Sequence, residues 1–276
     1  MMTGRRRGLG DVVVITGGAS GIGRSLAHAF SRRGCAVAAL DVDRSGAEAV
    51  AEQLERRGGR AIGLGCDVTD GAACREAIGA VIDRFGGVDV LVNNAGITQR
   101  DSFSNTTVDA LRRVMDVNFF GAVNCTKAAL DSLVSRRGMI VVTSSIAGLV
   151  PLLGRSSYCA SKHALHGFFG TLRAELRDQG VHVLIVCPSF VQTNLQSRAL
   201  GGDGEVTSHP QSTVGAVDSP DDVAEAIVKA AARRRRLLVL SPVGKLSVWL
   251  NFLAPPIYER VMTRSLRSEL DRDQSR

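Results

Sequence analysis

Short apolar runs of strand length recur along the chain and alternate with longer segments of helical character. The runs lie at residues 12–16, 36–40, 61–65, 88–92, 139–143, 181–186 and 237–240. The segments between them, such as 45–58 and 70–86, carry apolar residues at helical spacing. Because these strands are continuously apolar rather than alternating, they indicate a parallel sheet covered on both faces. The pattern predicts an α/β fold with a doubly wound parallel sheet of about seven strands.

No linker, repeat or low-complexity tract interrupts this pattern, so one domain is predicted. We expect a basic N-terminal tail at 1–10, the α/β domain at 11–242, and a helical extension of the same domain at 243–276. The longest unpatterned segment, 195–218, has the length of a functional or mobile loop.

Composition narrows the classes of partner. The 34 Lys and Arg exceed the 27 Asp and Glu and give a net charge of +7, but the basic residues fall in scattered short runs. Without a binding module or interleaved aromatic residues, we expect no nucleic-acid partner. The six cysteines show no metal-binding or disulfide spacing and are expected to be small core residues in a reducing compartment. The N-terminus lacks the apolar stretch of a secretory signal, so a cytoplasmic location is expected.

A glycine-rich turn, TGGASGIG, joins the first apolar run to a helical segment. Gly17, Gly21 and Gly23 would permit a tight turn and let the backbone approach a pyrophosphate at the helix N-terminus. Glycines also permit close helix–strand packing, and the turn alone does not separate the two roles. Asp41 ends the second strand, where a carboxylate accepts hydrogen bonds from ribose hydroxyls and repels a 2′-phosphate. Asp41, with the uncharged Ser20, favours NAD over NADP.

A second group of residues points to a reaction. Tyr158 and Lys162 are four residues apart at the start of a helical segment, so their side chains share one face. An ammonium group and an oxidised nicotinamide nearby would favour the phenolate, which could exchange a proton with an alcohol or ketone. Ser144 and Ser145 follow the fifth strand at the edge of the sheet where ligands bind, and a hydroxyl there could hydrogen-bond the substrate oxygen.

Taken together, these motifs resemble those of the short-chain dehydrogenase/reductase family over about residues 10–240, which implies a Rossmann-like fold. CDV at Cys66–Val68 and NNAG at Asn93–Gly96 add to the resemblance. It implies a catalytic tetrad of Asn118, Ser145, Tyr158 and Lys162. The cofactor-binding residues it implies are Gly17, Ser20, Gly21, Ile22, Gly23, Asp41, Asp67, Val68, Asn94, Ala95, Gly96, Tyr158, Lys162, Pro188, Val191 and Thr193.

One residue departs from the family pattern. The family commonly has Pro-Gly after the sixth strand, where this chain has Pro188-Ser189. The departure concerns the geometry of that loop, since Thr193 still matches the residue that contacts the nicotinamide amide. His163 and His166 lack a neighbouring cysteine or carboxylate at ligand spacing, and no metal site is expected.

The resulting hypothesis is an NAD-dependent oxidoreductase that interconverts a secondary alcohol and a ketone. The alternative is a dinucleotide-binding regulatory or scaffold protein without turnover. We expect residues 98–103, residues 150–156 and the long loop after Thr193 to set substrate specificity. The apolar segments around 149–153 and 247–253 favour a lipid-like, steroid-like or aromatic substrate. The resemblance implies a homodimer or homotetramer.

Three interpretations of the C-terminal tail remain open. Its apolar stretch at 246–254 is too short to span a membrane. It could pack over the cleft or against a partner subunit, which we favour, or belong to the core of its own subunit. An interfacial membrane helix, with Arg260, Arg264 and Arg267 near anionic lipid, is the least favoured of the three.

Overall fold

The strands form one parallel sheet in the order β3-β2-β1-β4-β5-β6-β7. The structure is a computed structural model that describes residues 11–207, 212–213 and 215–270. The strands are β1 Val12–Thr16, β2 Ala36–Asp41, β3 Ala61–Gly65, β4 Val90–Asn93, β5 Met139–Thr143, β6 His182–Cys187 and β7 Leu237–Val239. Each apolar run of the sequence corresponds to one strand, with ends that differ by at most two residues. The expected doubly wound parallel sheet is confirmed.

Helices cover both faces of this sheet. They are α1 Gly21–Ser31, α2 Arg44–Arg56, α3 Gly71–Phe85, α4 Val108–Met115, α5 Gly121–Arg136, α6 Ser156–Glu175, α7 Pro220–Ala232, α8 Pro242–Leu253 and α9 Pro255–Leu266. A π-helical turn, Asp116–Phe120, joins α4 to α5. Short 3-10 turns lie at Phe103–Asn105, Ile146–Gly148 and Arg267–Glu269.

Alternate residues of each strand enter two separate cores. In β1, Val12 and Val14 pack on the side of α3, α5 and α6, whereas Val13 and Ile15 pack on the side of α1, α2 and α7. All four side chains are buried, as expected for a strand in the middle of a sheet with helices on both faces. This arrangement fixes where the carboxyl ends of the strands lie, and those ends form the site described next.

The six cysteines also have the surroundings that the sequence indicated. Cys35, Cys66, Cys74, Cys125 and Cys187 are buried, Cys159 is half-buried, and none of the six forms a disulfide. The basic segment 1–10 lies outside the described residues, as does the end of the C-terminal extension, 271–276. Among the residues that are described, no helix combines the length and apolar character needed to cross a bilayer.

Candidate active site

A cavity of about 1000 Å³ opens at the carboxyl edge of the sheet. It extends from the glycine-rich turn after β1, past the ends of β2 and β4, to the start of α6 and the C-terminal helices. The predicted site residues that line it are Gly17, Ser20, Gly21, Ile22, Asp41, Asp67, Val68, Asn94, Ala95, Gly96, Ser145, Tyr158, Lys162, Pro188, Val191 and Thr193. Gly23 and Asn118 do not line the cavity, but each contacts residues that do.

The glycine-rich turn is shaped for close approach. Gly17 and Gly21 have φ of 64° and 52°, a left-handed conformation that strains residues with a side chain. A Cβ on Gly23 would lie 1.9 Å from the Gly17 carbonyl oxygen. Any residue larger than glycine at position 23 would therefore prevent the turn from packing against the start of α1. Ser20 precedes α1, and its hydroxyl makes no capping hydrogen bond. The first N–H groups of α1 are therefore suited to receive an anion, such as a phosphate.

Two carboxylates line the cavity at the ends of β2 and β3. Asp41 accepts hydrogen bonds from the backbone N–H groups of Ala19 and Asp43, both at 3.0 Å. Asp67 accepts from the N–H and the hydroxyl of Thr69 at 2.9 and 2.8 Å. Asp41 thus fixes the glycine-rich turn to β2 and also presents a negative charge to the cavity.

Thr16 joins the turn to the end of β4, a role that the sequence did not indicate. Its hydroxyl accepts from the backbone N–H groups of Asn94 and Ala95, both at 3.0 Å. The Asn94 amide donates to the carbonyl oxygens of Thr16 and Gly17 at 3.0 and 3.3 Å. Thr16 begins the glycine-rich motif, but only the sheet order brings its hydroxyl beside the end of β4.

The predicted catalytic side chains meet at the other end of the cavity. Ser145, just after β5, lies beside Tyr158 of α6 on the cavity wall, and its side chain favours the Tyr158 phenolate. Lys162 is one turn further along α6, and its Nζ lies 5.6 Å from the centre of the Tyr158 ring. The Lys162 ammonium donates to the Thr143 carbonyl oxygen at 2.9 Å, which holds it against the end of β5. The three groups therefore lie together at this end of the cavity, with Lys162 beside Tyr158.

Burial shifts the pKa values of Tyr158 and Lys162. It raises the pKa of Tyr158 to about 12, against the opposing effect of the Ser145 side chain. Desolvation likewise lowers the pKa of Lys162 to about 8. In the protein by itself, the pKa of Tyr158 thus moves opposite to the lowering that the sequence led us to expect. The reason is that a half-dry cleft disfavours the charged form of each group.

Asn118 lies in the π-helical turn and is buried. Its Oδ1 accepts from the Ile97 N–H at 2.8 Å, while its Nδ2 donates to the Ile97 carbonyl and to the Ser161 hydroxyl, both at 2.9 Å. A Cβ on Gly96 would come within 3.0 Å of Asn118 Oδ1 and 3.6 Å of Lys162 Nζ. Asn118 therefore fixes the loop after β4 against α6 beside Lys162, and its part in a proton relay stays a prediction.

The loop after β6 closes the cavity over the glycine-rich turn. The Pro188 carbonyl accepts from the Ile146 N–H at 3.0 Å, and Val191 pairs with Asp218. Thr193 lies opposite Gly21, since a Cβ on that glycine would be 3.1 Å from Thr193 Cγ2. Ser189, in place of the family's usual glycine, lines the cavity without displacing these contacts.

The C-terminal helices form the remaining wall. Leu250 of α8 and Met262 of α9 line the cavity. At the start of α8, Gly244 packs so closely on Ile146, the residue after Ser145, that a Cβ would be 2.5 Å from Ile146 Cδ1. The Tyr258 hydroxyl donates to the Pro151 carbonyl at 2.9 Å. The tail thus lines the cleft, one of the two placements that we favoured, although many of its apolar side chains remain exposed and packing against a partner subunit stays a prediction.

Several residues that line the cavity were not among the predicted site residues. Arg112 and Arg113 of α4 and Arg198 of the loop after β6 line the cavity. Arg155 lies within the segment that the apolar sequence pattern placed near the cleft, and it also lines the cavity. Phe103, from the other expected substrate segment, does not line it and is exposed. Among the described residues, no group of three or more His, Cys, Asp or Glu is placed to hold a metal ion.

Comparison with known proteins agrees with this geometry. The sequence model described as short chain dehydrogenase matches residues 11–201. Dehydrogenase/reductase SDR family member 7B of Bos taurus is 37% identical over 266 residues, covering 94% of this chain and 82% of that protein. Dehydrogenase/reductase SDR family protein 7-like of Anopheles gambiae is 36% identical over 262 residues, covering 92% and 83%.

Solved structures show the same fold. A short chain dehydrogenase/reductase from Burkholderia phymatum, in complex with NAD, aligns with a TM-score of 0.80 and 27% identity, covering 90% of this chain and 95% of that one. An alcohol dehydrogenase from the archaeon Thermococcus sibiricus, complexed with 5-hydroxy-NADP, aligns with a TM-score of 0.72 and 27% identity, covering 83% and 95%. With the matched model and these relatives, the chain belongs to the short-chain dehydrogenase/reductase family of oxidoreductases.

Proposed function

We propose that the protein is an NAD-dependent oxidoreductase that interconverts a secondary alcohol and a ketone on an apolar substrate. The observation that carries the proposal is the placement of Ser145, Tyr158 and Lys162 on the wall of a cavity that begins at the glycine-rich turn. One continuous cavity can thus hold a dinucleotide at one end and a substrate oxygen at the other.

The residues present fit a dinucleotide. The glycines at 17, 21 and 23 leave little or no room for a Cβ, and the turn presents helix N–H groups suited to a pyrophosphate. Asp41 and Asp67 would bind the adenosine part, and Lys162 and Thr193 the nicotinamide part. The bound cofactor would accept or supply the hydride.

The proton chemistry belongs to the chain's own residues. In ketone reduction, the Tyr158 hydroxyl would donate its proton to the substrate oxygen, and a pKa of about 12 keeps that proton in place at neutral pH. Ser145 would hold the substrate oxygen through a second hydrogen bond. The Lys162 ammonium would stabilise the phenolate left on Tyr158. In alcohol oxidation, the same phenolate would accept the hydroxyl proton.

The test measures formation of reduced nicotinamide with NAD and a panel of steroid, long-chain, aromatic and small polyol alcohols. We expect Tyr158→Phe to lower kcat by about 100-fold or more while NAD binding, measured by calorimetry, is retained. Tyr258→Phe is the matched control, because Tyr258 lines the same cavity and its hydroxyl donates instead to Pro151. Equal kcat in Tyr158→Phe and the unmodified protein would refute the assigned proton transfer.

If NAD binds but no alcohol or ketone reacts, the result would favour the alternative, a regulatory or scaffold protein without turnover. The substrate class rests on the apolar wall made by Ile146, Leu152, Leu250 and Met262. We therefore expect steroid or long-chain alcohols to give a higher kcat/KM than the small polyols.

Preference for NAD over NADP is a separate part of the proposal. Asp41 supports NAD through its negative charge, whereas the basic Arg198 on the same cavity would suit a phosphate. Asp41→Asn keeps a side-chain acceptor for the Ala19 N–H and removes the charge. We expect it to lower the ratio of kcat/KM for NAD to that for NADP by about 10-fold or more. An unchanged ratio would contradict the role given to Asp41.

A further inference from the structure

The outer surface of α8 and α9 carries exposed apolar side chains that the proposed reaction does not use. We name as the hairpin face Leu246, Trp249, Phe252, Leu253, Ile257 and Val261. These side chains are between 53% and 76% exposed. A contiguous apolar surface of this kind on a folded domain marks a contact site for another molecule.

The spacing places these residues in one exposed stripe on each of the two helices. Leu246, Trp249 and Leu253 follow one another at intervals of three and four along α8, which puts them in one stripe. Ile257 and Val261 are four residues apart on α9 and form a second stripe. The two helices pack against each other, joined by Ala254 between them.

Basic residues flank both stripes. Lys245 precedes Leu246 on α8, and Arg260 and Arg264 of α9 stand next to Val261 at helical spacing. All three basic side chains are exposed. Glu259, which is also exposed, is the single acidic residue within α8 and α9. The face thus combines an apolar stripe with a surplus of positive charge, the pattern of helices that lie on anionic lipid.

The hairpin face is also continuous with the cavity. Leu246 and Val261 line the cavity and are exposed on the face at 67% and 53%. Leu250 and Met262 continue inward from them towards the substrate end. The rim of the cavity on this side is therefore part of the apolar surface.

We propose that the hairpin face docks onto the anionic surface of a lipid membrane. Each helix has 12 residues, too few to span the roughly 20-residue bilayer core, so both would lie in the interfacial plane. A second copy of the chain fits less well, because a two-fold contact would bring the same basic residues towards each other. Docking would place the cavity rim against lipid, and a lipid-resident substrate could then enter without crossing water. That consequence, unlike the docking itself, rests on the proposed function.

Trp249 provides an internal probe because it is the single tryptophan of the chain. The experiment titrates the full-length protein with phosphatidylcholine vesicles, with and without phosphatidylserine, and records tryptophan emission and co-sedimentation. We expect a blue shift and co-sedimentation with the phosphatidylserine vesicles, both reduced by added salt. Because no turnover is measured, the result does not depend on whether the proposed reaction is correct.

Variants assign the binding to this face. Phe252→Ser is expected to reduce binding, whereas Phe103→Ser, which removes a phenylalanine of similar exposure (72% against 76%) outside the hairpin, is expected to retain it. Arg260→Gln with Arg264→Gln should weaken binding by about 25-fold, on the order of fivefold for each charge. Arg56→Gln with Arg57→Gln, the same loss of charge at the end of α2, is the control and should change binding little.

Three results would overturn the proposal. The first is no blue shift and no co-sedimentation with phosphatidylserine vesicles. The second is equal losses in the hairpin variants and their controls. The third is a blue shift that grows with protein concentration in the absence of lipid, together with dimers in sedimentation that Phe252→Ser abolishes. That last result would assign the face to a second copy of the chain.

Discussion

Replacing Glu269 with glutamine is expected to destabilise the C-terminal segment strongly, because this carboxylate is the counter-charge of a buried arginine. Glu269 lies in the 3-10 turn after α9, and its Oε2 is 2.7 Å from Arg155 Nη2. The two side chains are 2% and 6% exposed. Glu269 Oε1 also accepts a hydrogen bond from the Ser212 N–H. Arg155 precedes α6, so the pair connects the last described turn of the chain to the start of the catalytic helix.

The magnitude follows from burial. Removing one partner of a buried ion pair costs about 3–5 kcal/mol, since the remaining charge is left without compensation in a dry environment. The same change at an exposed site costs about 0.5 kcal/mol or less. Arg100 is also buried nearby and shares the field of Glu269, so two positive charges depend on this carboxylate. The measured loss is limited by the free energy that docks the segment, because an undocked segment would rehydrate Arg155.

The assay is urea unfolding of Glu269→Gln, with Glu259→Gln as the control for the same change on an exposed part of α9. We expect a loss of about 3 kcal/mol, or a Tm lower by roughly 6–12 °C, and almost none in the control. Joint replacement of Arg155 and Glu269 by methionine should recover part of the loss, because Arg155 no longer leaves an unpaired charge, whereas the buried Arg100 keeps its own. A loss in Glu269→Gln no larger than in Glu259→Gln would refute the reasoning.

Two further predictions concern the glycine-rich turn and a buried histidine. Gly23→Ala should weaken NAD binding by about 10-fold or more and destabilise the fold by roughly 1–3 kcal/mol, because its Cβ would lie 1.9 Å from the Gly17 oxygen. Calorimetry and urea unfolding check this, and Gly79→Ala, whose Cβ meets nothing within 4 Å, should be neutral or stabilising. Burial lowers the pKa of His166 to about 4 from 6.5, so the unfolded chain binds the proton first as the pH falls. Stability should therefore decrease between pH 6.5 and about 4 by roughly 1–2 kcal/mol, and this part of the slope should vanish in His166→Gln; an unchanged slope would exclude His166 as its source.

The sequence by itself determined the sheet, its two covered faces and the cofactor-turn and catalytic positions of the cavity wall. Continuous apolar runs such as 12–16 have one stable placement, a central strand whose alternate residues enter opposite cores. The glycine-rich turn and the Tyr158–Lys162 spacing carry their information locally, because a tight turn and a helical repeat need only neighbouring residues. For this reason the turn and the Tyr158–Lys162 pair have the local geometry that the sequence predicts.

Only the tertiary structure decided what depends on contacts between distant parts of the chain. Thr16 gains its role from the β1–β4 pairing, and the Arg155–Glu269 pair joins residues far apart in sequence. The pKa of Tyr158 is set by the dryness of a cleft that α6, α8 and α9 build together, which reverses the direction expected from the neighbouring lysine alone. From the sequence, the helical tail could have been cleft wall or partner contact, which we favoured, or core, or a membrane-surface helix. Its packing leaves one side on the cavity and the other side exposed, because burial depends on which elements the three-dimensional fold places opposite each residue.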